Sequence, residues 1–260
     1  MQKRVWITSL KKDKEKTTAL LELSKKYGLA PDGHFWVDDL KKMAWQAPKD
    51  SICAKETGLW VISAEPGDLE AESVRYGLSL LALTVQAIKG IGFPIIFVCF
   101  DNMLQQEDLP APFKGAEIVD AKDRTLGAKI AARANTPVKK VAVDYRVDIH
   151  ANPGYGIWFE FGPTGEEIWS GVLAGASGAQ VDAHGVGDAG RLPEKAVLEY
   201  QMQGLKLSIN NTEYDAWAVQ NRISENEAYY VRFNGMPGTV LFGELPGEKS
   251  QGDFYMLRLA

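Results

Sequence analysis

Two kinds of hydrophobic patterning divide the chain. Up to about residue 135, short apolar runs alternate with helical stripes. VWITSL (5–10) reads as a strand. Leu20, Leu23 and Tyr27 lie on one face of a helix predicted over 17–27, and Gly28 supplies its stop. Further strands are predicted at 34–37, 58–63, 93–100 and 116–120. FPIIFVCF (93–100) is apolar throughout, as a strand covered on both faces would be. A long helix is predicted over 69–89, with Val74, Leu78, Leu81, Val85 and Ile88 forming one stripe. Another is predicted near 124–134. Such alternation implies parallel pairing through right-handed crossovers, hence a five-stranded sheet of flavodoxin-like order. Ligands of such sheets bind beyond the carboxyl ends of the strands, here after Leu10, Val37 and Ser63.

Near Thr136 and Pro137 the period changes to two. Val141, Val143, Tyr145, Val147 and Ile149 alternate with more polar neighbours, as in a half-buried strand. Strands are also predicted at 156–161, 168–173, 196–202, 205–209, 228–233, 239–244 and 254–259. The apolar phase flips at Gly204, which calls for a bulge or turn. Many short strands with turn signals predict a sandwich or jelly roll. The expected organisation is therefore an α/β domain over 1–136 and a β-rich domain over 137–260. The small, Gly-rich segment 174–190 is expected to be a long mobile loop.

Composition adds limits. Hydrophobic residues make up 45% of the chain, enough to bury cores without disulfides. Cys53 and Cys99 adjoin apolar runs and are expected to be reduced core thiols. No run approaches a membrane span, and no signal peptide is visible, so a cytoplasmic protein is expected. The net charge of −5 is uneven, +1 over 1–137 and −6 over 138–260. An acidic second half disfavours a nucleic-acid partner, and the Lys11, Lys12, Lys14, Lys16 cluster is read as a solvated loop and first helical turn.

Few constellations carry chemistry. Gly185, Gly187 and Gly190 have dinucleotide spacing but lie in a β context without a following helix. Asp182, His184 and Asp188 are weighed as cation ligands, but a flexible loop is poorly preorganised, and no metal is expected. HExxH, CxxC and GxSxG are absent. His34, bordering a strand, is expected to be structural. Aromatic residues recur in the second half, from Tyr155, Trp158, Phe159, Phe161 and Trp169 to Tyr200, Tyr214, Trp217, Tyr229 and Tyr230. They suit core packing, or a surface that stacks on sugars or fills a partner's pocket.

The order of features over 5–134 resembles a TIR domain. VWITSLKKD (5–13) is similar to that family's first strand and charged loop, LLELSKKYGL (20–29) to its first helix, and HFWVDD (34–39) to its second strand. DSICAKETGLWVIS (50–63), FPIIFVCFD (93–101) and DLPAPFKGAEIVD (108–120) follow in the family's order. The resemblance implies a signalling or defence protein that acts by self-association as a homo-oligomer; the β domain, outside the resemblance, is expected to bind a ligand or partner. It also implies an alternative, an enzyme that cleaves NAD as substrate at the nicotinamide glycosidic bond. For that branch the catalytic carboxylate would be Glu72, in ISAEPGDLEAESVRY (62–76), with Ser9, Lys11, Asp38, Trp45 and Ser63 near the nucleotide. The family's Ser-x-Trp-Cys before the Glu is absent, and one gap-free register sets Arg75 in the Glu position. A third reading is a non-TIR α/β domain joined to a carbohydrate- or protein-binding sandwich.

Overall fold

The computed structural model describes residues 2–246 and 254–260. It divides into two compact units, Met1–Val141 and Ala142–Ala260. An isolated bridge between Gly92 and Lys139 ties the segment after position 136 to the first unit. No described helix is long and apolar enough to cross a membrane.

In the first unit, strands β1 (Arg4–Ser9), β2 (Ala30–Phe35), β3 (Thr57–Ser63), β4 (Ile95–Cys99) and β5 (Glu117–Asp120) alternate with helices α1 (Lys14–Lys26), α2 (Lys49–Cys53), α3 (Glu72–Lys89) and α4 (Leu126–Asn135). The sheet is parallel throughout, in the order β2-β1-β3-β4-β5. Asp13 starts α1 by accepting the Lys16 amide at 3.0 Å, and Gly28, at φ 77°, ends it. The crossover through α1 runs one way from β1 and that through α3 runs the other way from β3, which sets these helices on opposite faces.

Period two then builds two cores. Val5, Ile7, Leu59, Val61, Ile96 and Val98 pack with Leu20 of α1 and with Leu126 and Ile130 of α4. On the other face the Trp60 and Phe97 rings lie 5.9 and 5.3 Å from Phe113, and the Trp60 indole donates to Thr8 Oγ1 at 2.8 Å. All of β4 is buried, as its unbroken apolar run requires. The α3 stripe holds at Val74, Leu78, Leu81 and Val85, whereas Ile88 is 54% exposed at the helix end. Cys53 and Cys99 form no disulfide among the described residues; Cys99 is buried and Cys53 half-buried. Next to the sheet's edge, His34 Nδ1 accepts the Trp6 indole N–H at 3.1 Å. Burial pulls the His34 pKa down to about 4, so the ring stays neutral and structural.

The second unit is an antiparallel sheet of β6 (Tyr145–Asn152), β7 (Gly156–Pro163), β8 (Trp169–Asp188), β9 (Met202–Ile209), β10 (Thr212–Ile223), β11 (Glu227–Glu244) and β12 (Phe254–Arg258). The order is β6-β7-β11-β8-β10-β9, with β12 also on β11. Tyr229 of β11 pairs with Phe161 of β7, yet Phe161 stacks on Phe242, near the far end of β11, at 4.4 Å between ring centroids. A straight strand would hold Tyr229 and Phe242 about 40 Å apart. The strand therefore doubles back, and the two halves of one sheet face each other over a core. Gly235 (φ 107°) and Gly178 (φ 76°) sit at the bend, where β11 shifts register against β8.

This bend corrects several expectations. The segment 174–190 is not a mobile loop; up to Asp188 it belongs to β8, which pairs with β11 along this stretch. Its small residues reflect tight packing: a Cβ on Gly175 would lie 2.5 Å from that of Ala216. Likewise 228–233 and 239–244 are one strand rather than two. β10 had no counterpart in the sequence reading, and 196–201 is irregular. Val141 and Val143 precede β6 instead of belonging to it. The phase flip at Gly204 is a bulge, since Ala216 pairs with Leu205 but Ala218 with Met202.

Candidate functional site

The exit edge of the parallel sheet is laced together where β1, β2 and β3 end. Leu10 N donates to Ser63 O at 3.0 Å and Trp36 N to Ser9 O at 2.8 Å. The Ser9 hydroxyl donates to Lys11 O at 2.7 Å, so both serines, 2% and 8% exposed, lie inside the edge. The Lys11 ammonium reaches out to Asp68 Oδ1 at 3.3 Å. Asp68 in turn accepts the Glu65 amide at 2.9 Å, a reciprocal cap on the 3-10 turn Pro66–Leu69.

Glu65, only 8% exposed, accepts the backbone N–H groups of Phe100, Asp101 and Asn102 at 2.9, 3.1 and 2.7 Å. It thus clamps the exit of β3 to that of β4. Burial works to raise its pKa, but these amides and the charge of Lys16, 3.9 Å away, prevail and hold it below the ordinary carboxylate range. Lys16 also pairs with Asp101 at 2.6 Å. Sequence reasoning did not single out Glu65; Glu-Pro-x-Asp one residue beyond a strand was the capping signal to read.

Asp38 is exposed and accepts the Ser73 hydroxyl at 2.7 Å. This bond carries the loop after β2 to the first turn of α3. Glu72 opens that helix, exposed, and Ala71 before it offers no side-chain cap. Arg75, which competes with Glu72 for one place in the sequence, folds back onto the carbonyls of Leu69 and Glu70. Ser9, Lys11 and Ser63 therefore meet at one point of the edge, and Asp38 and Glu72 at the start of α3. Trp45 does not join the surface: it is 2% exposed in the core. Among the described residues the buried indole N–H groups of Trp36 and Trp45 have no partner.

The β-rich unit holds a second polar centre, which the sequence reading missed. Glu160, between the buried aromatics Phe159 and Phe161, is 2% exposed. Arg146 Nε donates to it at 3.3 Å, His150 Nε2 lies at 2.7 Å, Gly190 N donates at 3.0 Å and the Tyr230 hydroxyl at 3.2 Å. Ligand atoms of Asp148, His150 and Glu160 lie within 4.8 Å of one another. Arg146 already supplies there the positive charge that a cation would bring, so the group reads as an ion-pair network. A charge amid the apolar alternation of WFEFG (158–162) was the available signal.

The other constellations disperse. Asp182 pairs with Arg232 at 2.8 Å, while His184 meets the Tyr229 hydroxyl at 2.8 Å and Gln201 at 3.3 Å. They do not converge as ligands. Gly185 and Gly187 lie within β8 with Pro193 packed over them, so no helix N-terminus follows to receive a pyrophosphate. Phe159, Phe161, Trp169, Tyr229 and Tyr230 are core residues, whereas Tyr155 and Tyr200 are 46% and 79% exposed. Arg232 covers the Trp158 ring at 5.4 Å. No family model matches the chain, and no curated protein matches it.

Proposed function

We propose that this chain is a TIR-like signalling or defence protein whose α/β unit associates with a second copy of itself and whose β-rich unit binds a ligand or partner. What supports the reading is the sheet order β2-β1-β3-β4-β5 with its laced exit edge. On the loops beyond that edge Val37 and Met103 are 54% and 42% exposed, apolar side chains suited to a contact between copies. Sedimentation of the full chain over a concentration series is expected to reveal association, and Val37→Asp combined with Met103→Asp to abolish it. A wild-type chain that stays monomeric throughout would overturn the proposal.

One observation favours a second reading, NAD cleavage by the same unit. Glu72 stands exposed on the uncapped first turn of α3, with Arg75 turned back onto the backbone. A carboxylate there would hold ribose hydroxyls and stabilise positive charge as nicotinamide leaves with the bonding electron pair and water adds to the anomeric carbon. Under this reading the associated chain releases nicotinamide from NAD, and Glu72→Ala lowers the rate at least a hundredfold without changing sedimentation. Absence of turnover in the associated wild type removes this reading and leaves the first intact.

A further inference from the structure

A cleft of about 490 Å³ opens in the β-rich unit between the start of β8, the end of β10 and the residues after β11. Its size falls within the range of small-molecule pockets. Among the described residues the lining is of two kinds. Ile168, Leu245 and Pro246 are apolar; Ser170, Gln220 and Arg222 are polar. Arg222 and Gln220 project from the same side of β10, at a point where its register against β8 slips between Val219 and Arg222. Bulges of this kind re-aim side chains beside binding sites. Between them Asn221 turns inward, accepting the Glu199 amide at 2.8 Å and donating to Val197 O at 2.9 Å, which fixes the strand. On the opposite wall Leu245 N donates to Gly171 O at 3.1 Å, so this wall is also anchored.

The guanidinium of Arg222, the amide of Gln220 and the hydroxyl of Ser170 have no side-chain partner among the described residues. A fork of N–H donors beside an amide matches a planar carboxylate. Glu244, beside the cleft, repels any anion, and a doubly charged one such as a phosphate ester more than a singly charged one. Its carboxylate holds the Ser170 amide at 2.8 Å.

We propose that this cleft binds a small organic acid, its carboxylate on Arg222 and Gln220 and its apolar body on Ile168, Leu245 and Pro246. The proposal rests on the reading of the β-rich unit as the ligand-holding part, and names the ligand's class.

The test is titration of the isotopically labelled full chain with benzoate, benzamide, phenyl phosphate and butylammonium, read by NMR. Benzoate is expected to shift the Arg222 Nε–H and Leu245 methyl signals saturably. Arg222→Gln should weaken it at least tenfold, benzamide should bind at least tenfold more weakly, and phenyl phosphate more weakly than benzoate. Equal binding of benzamide, tighter binding of phenyl phosphate, or indifference to Arg222→Gln would each overturn the carboxylate site. Saturable shifts elsewhere in 142–260, without any at Arg222, also overturn it but preserve the wider reading of a ligand-holding unit. Silence towards all four probes counts against the site, whereas the wider reading falls only if larger ligands and partner proteins fail as well.

Discussion

Replacing Glu160 by alanine is expected to destabilise the β-rich unit by about 3–5 kcal/mol, as removal of one member of a buried ion pair does. The carboxylate is 2% exposed and gathers donors from β6, β11 and the turn after β8. Without it the largely buried Arg146 guanidinium keeps, among the described residues, the carbonyls of Pro163 and Glu227 as acceptors. For a unit of this size the loss corresponds to a fall in Tm of about 10 °C or more. Calorimetry of the full chain would measure it, and hydrogen exchange at Phe159 and Phe161 would show that the β-rich unit is the part affected. An unchanged Tm would mean that the network contributes nothing.

The same network sets a pH dependence. Burial alone would raise the Glu160 pKa, but the bond from His150, the Gly190 amide and the charges of His150 and Arg146 hold it below the ordinary value. The unfolded chain then takes up the proton more readily than the folded one. The Glu160 contribution is fully present above the ordinary glutamate pKa and is lost as pH falls through the lower folded value. Wild type and Glu160→Ala should accordingly converge in stability under acid conditions.

The second large effect is expected at Glu65. Glu65→Ala removes the acceptor of three backbone N–H groups at once. The expected cost is about 2–4 kcal/mol, because charged hydrogen bonds are lost and water re-solvates only part of what is exposed. Glu65→Gln should cost less, since one oxygen remains but the amide nitrogen meets donors. Hydrogen exchange at residues 100–102 should accelerate in both variants, more in the alanine one, while the interior amides of β4 change less. Uniform acceleration across the sheet would instead mean that Glu65 supports the whole unit rather than the β3–β4 exit. Because Lys16 leans on both Glu65 and Asp101, it keeps one partner in either variant.

Patterning made the first unit legible. Its central strands β1, β3 and β4 are buried on both faces and its helices on one, so their apolar runs and stripes map onto elements. The edge strand β2 carries no such run, and it lies at 30–35 instead of the expected 34–37 because its APDGHF sequence is covered on one side only, by β1. The site was less readable. Ser9 and Ser63 are strand-end residues and could be placed by rule, yet their inward orientation follows from register. Trp45 has the composition of a binding residue and the environment of a core residue, and only packing separates the two. Glu65 and Glu72 lie seven residues apart on one loop and helix start. One is enclosed by the amides after β4, brought there by the sheet order, and the other faces solvent.

In the second unit the sequence alone determined that the helical pattern ends near residue 137, that strands dominate beyond it, and that Gly204 marks a bulge or a turn. Tertiary structure decided the rest. Whether GASGAQVDAHGVGD is a loop or a strand depends on a partner, because small residues carry no hydrophobic phase of their own. Here β11 supplies that partner, and the strands bend together at Gly178 and Gly235. The doubling back brings Phe161 onto Phe242, closes a turn over Glu160 and opens the cleft at Arg222. Hydrophobic periodicity records which side of a strand is covered. It does not record what covers it, because that contact joins residues far apart in the chain and leaves no local pattern in either.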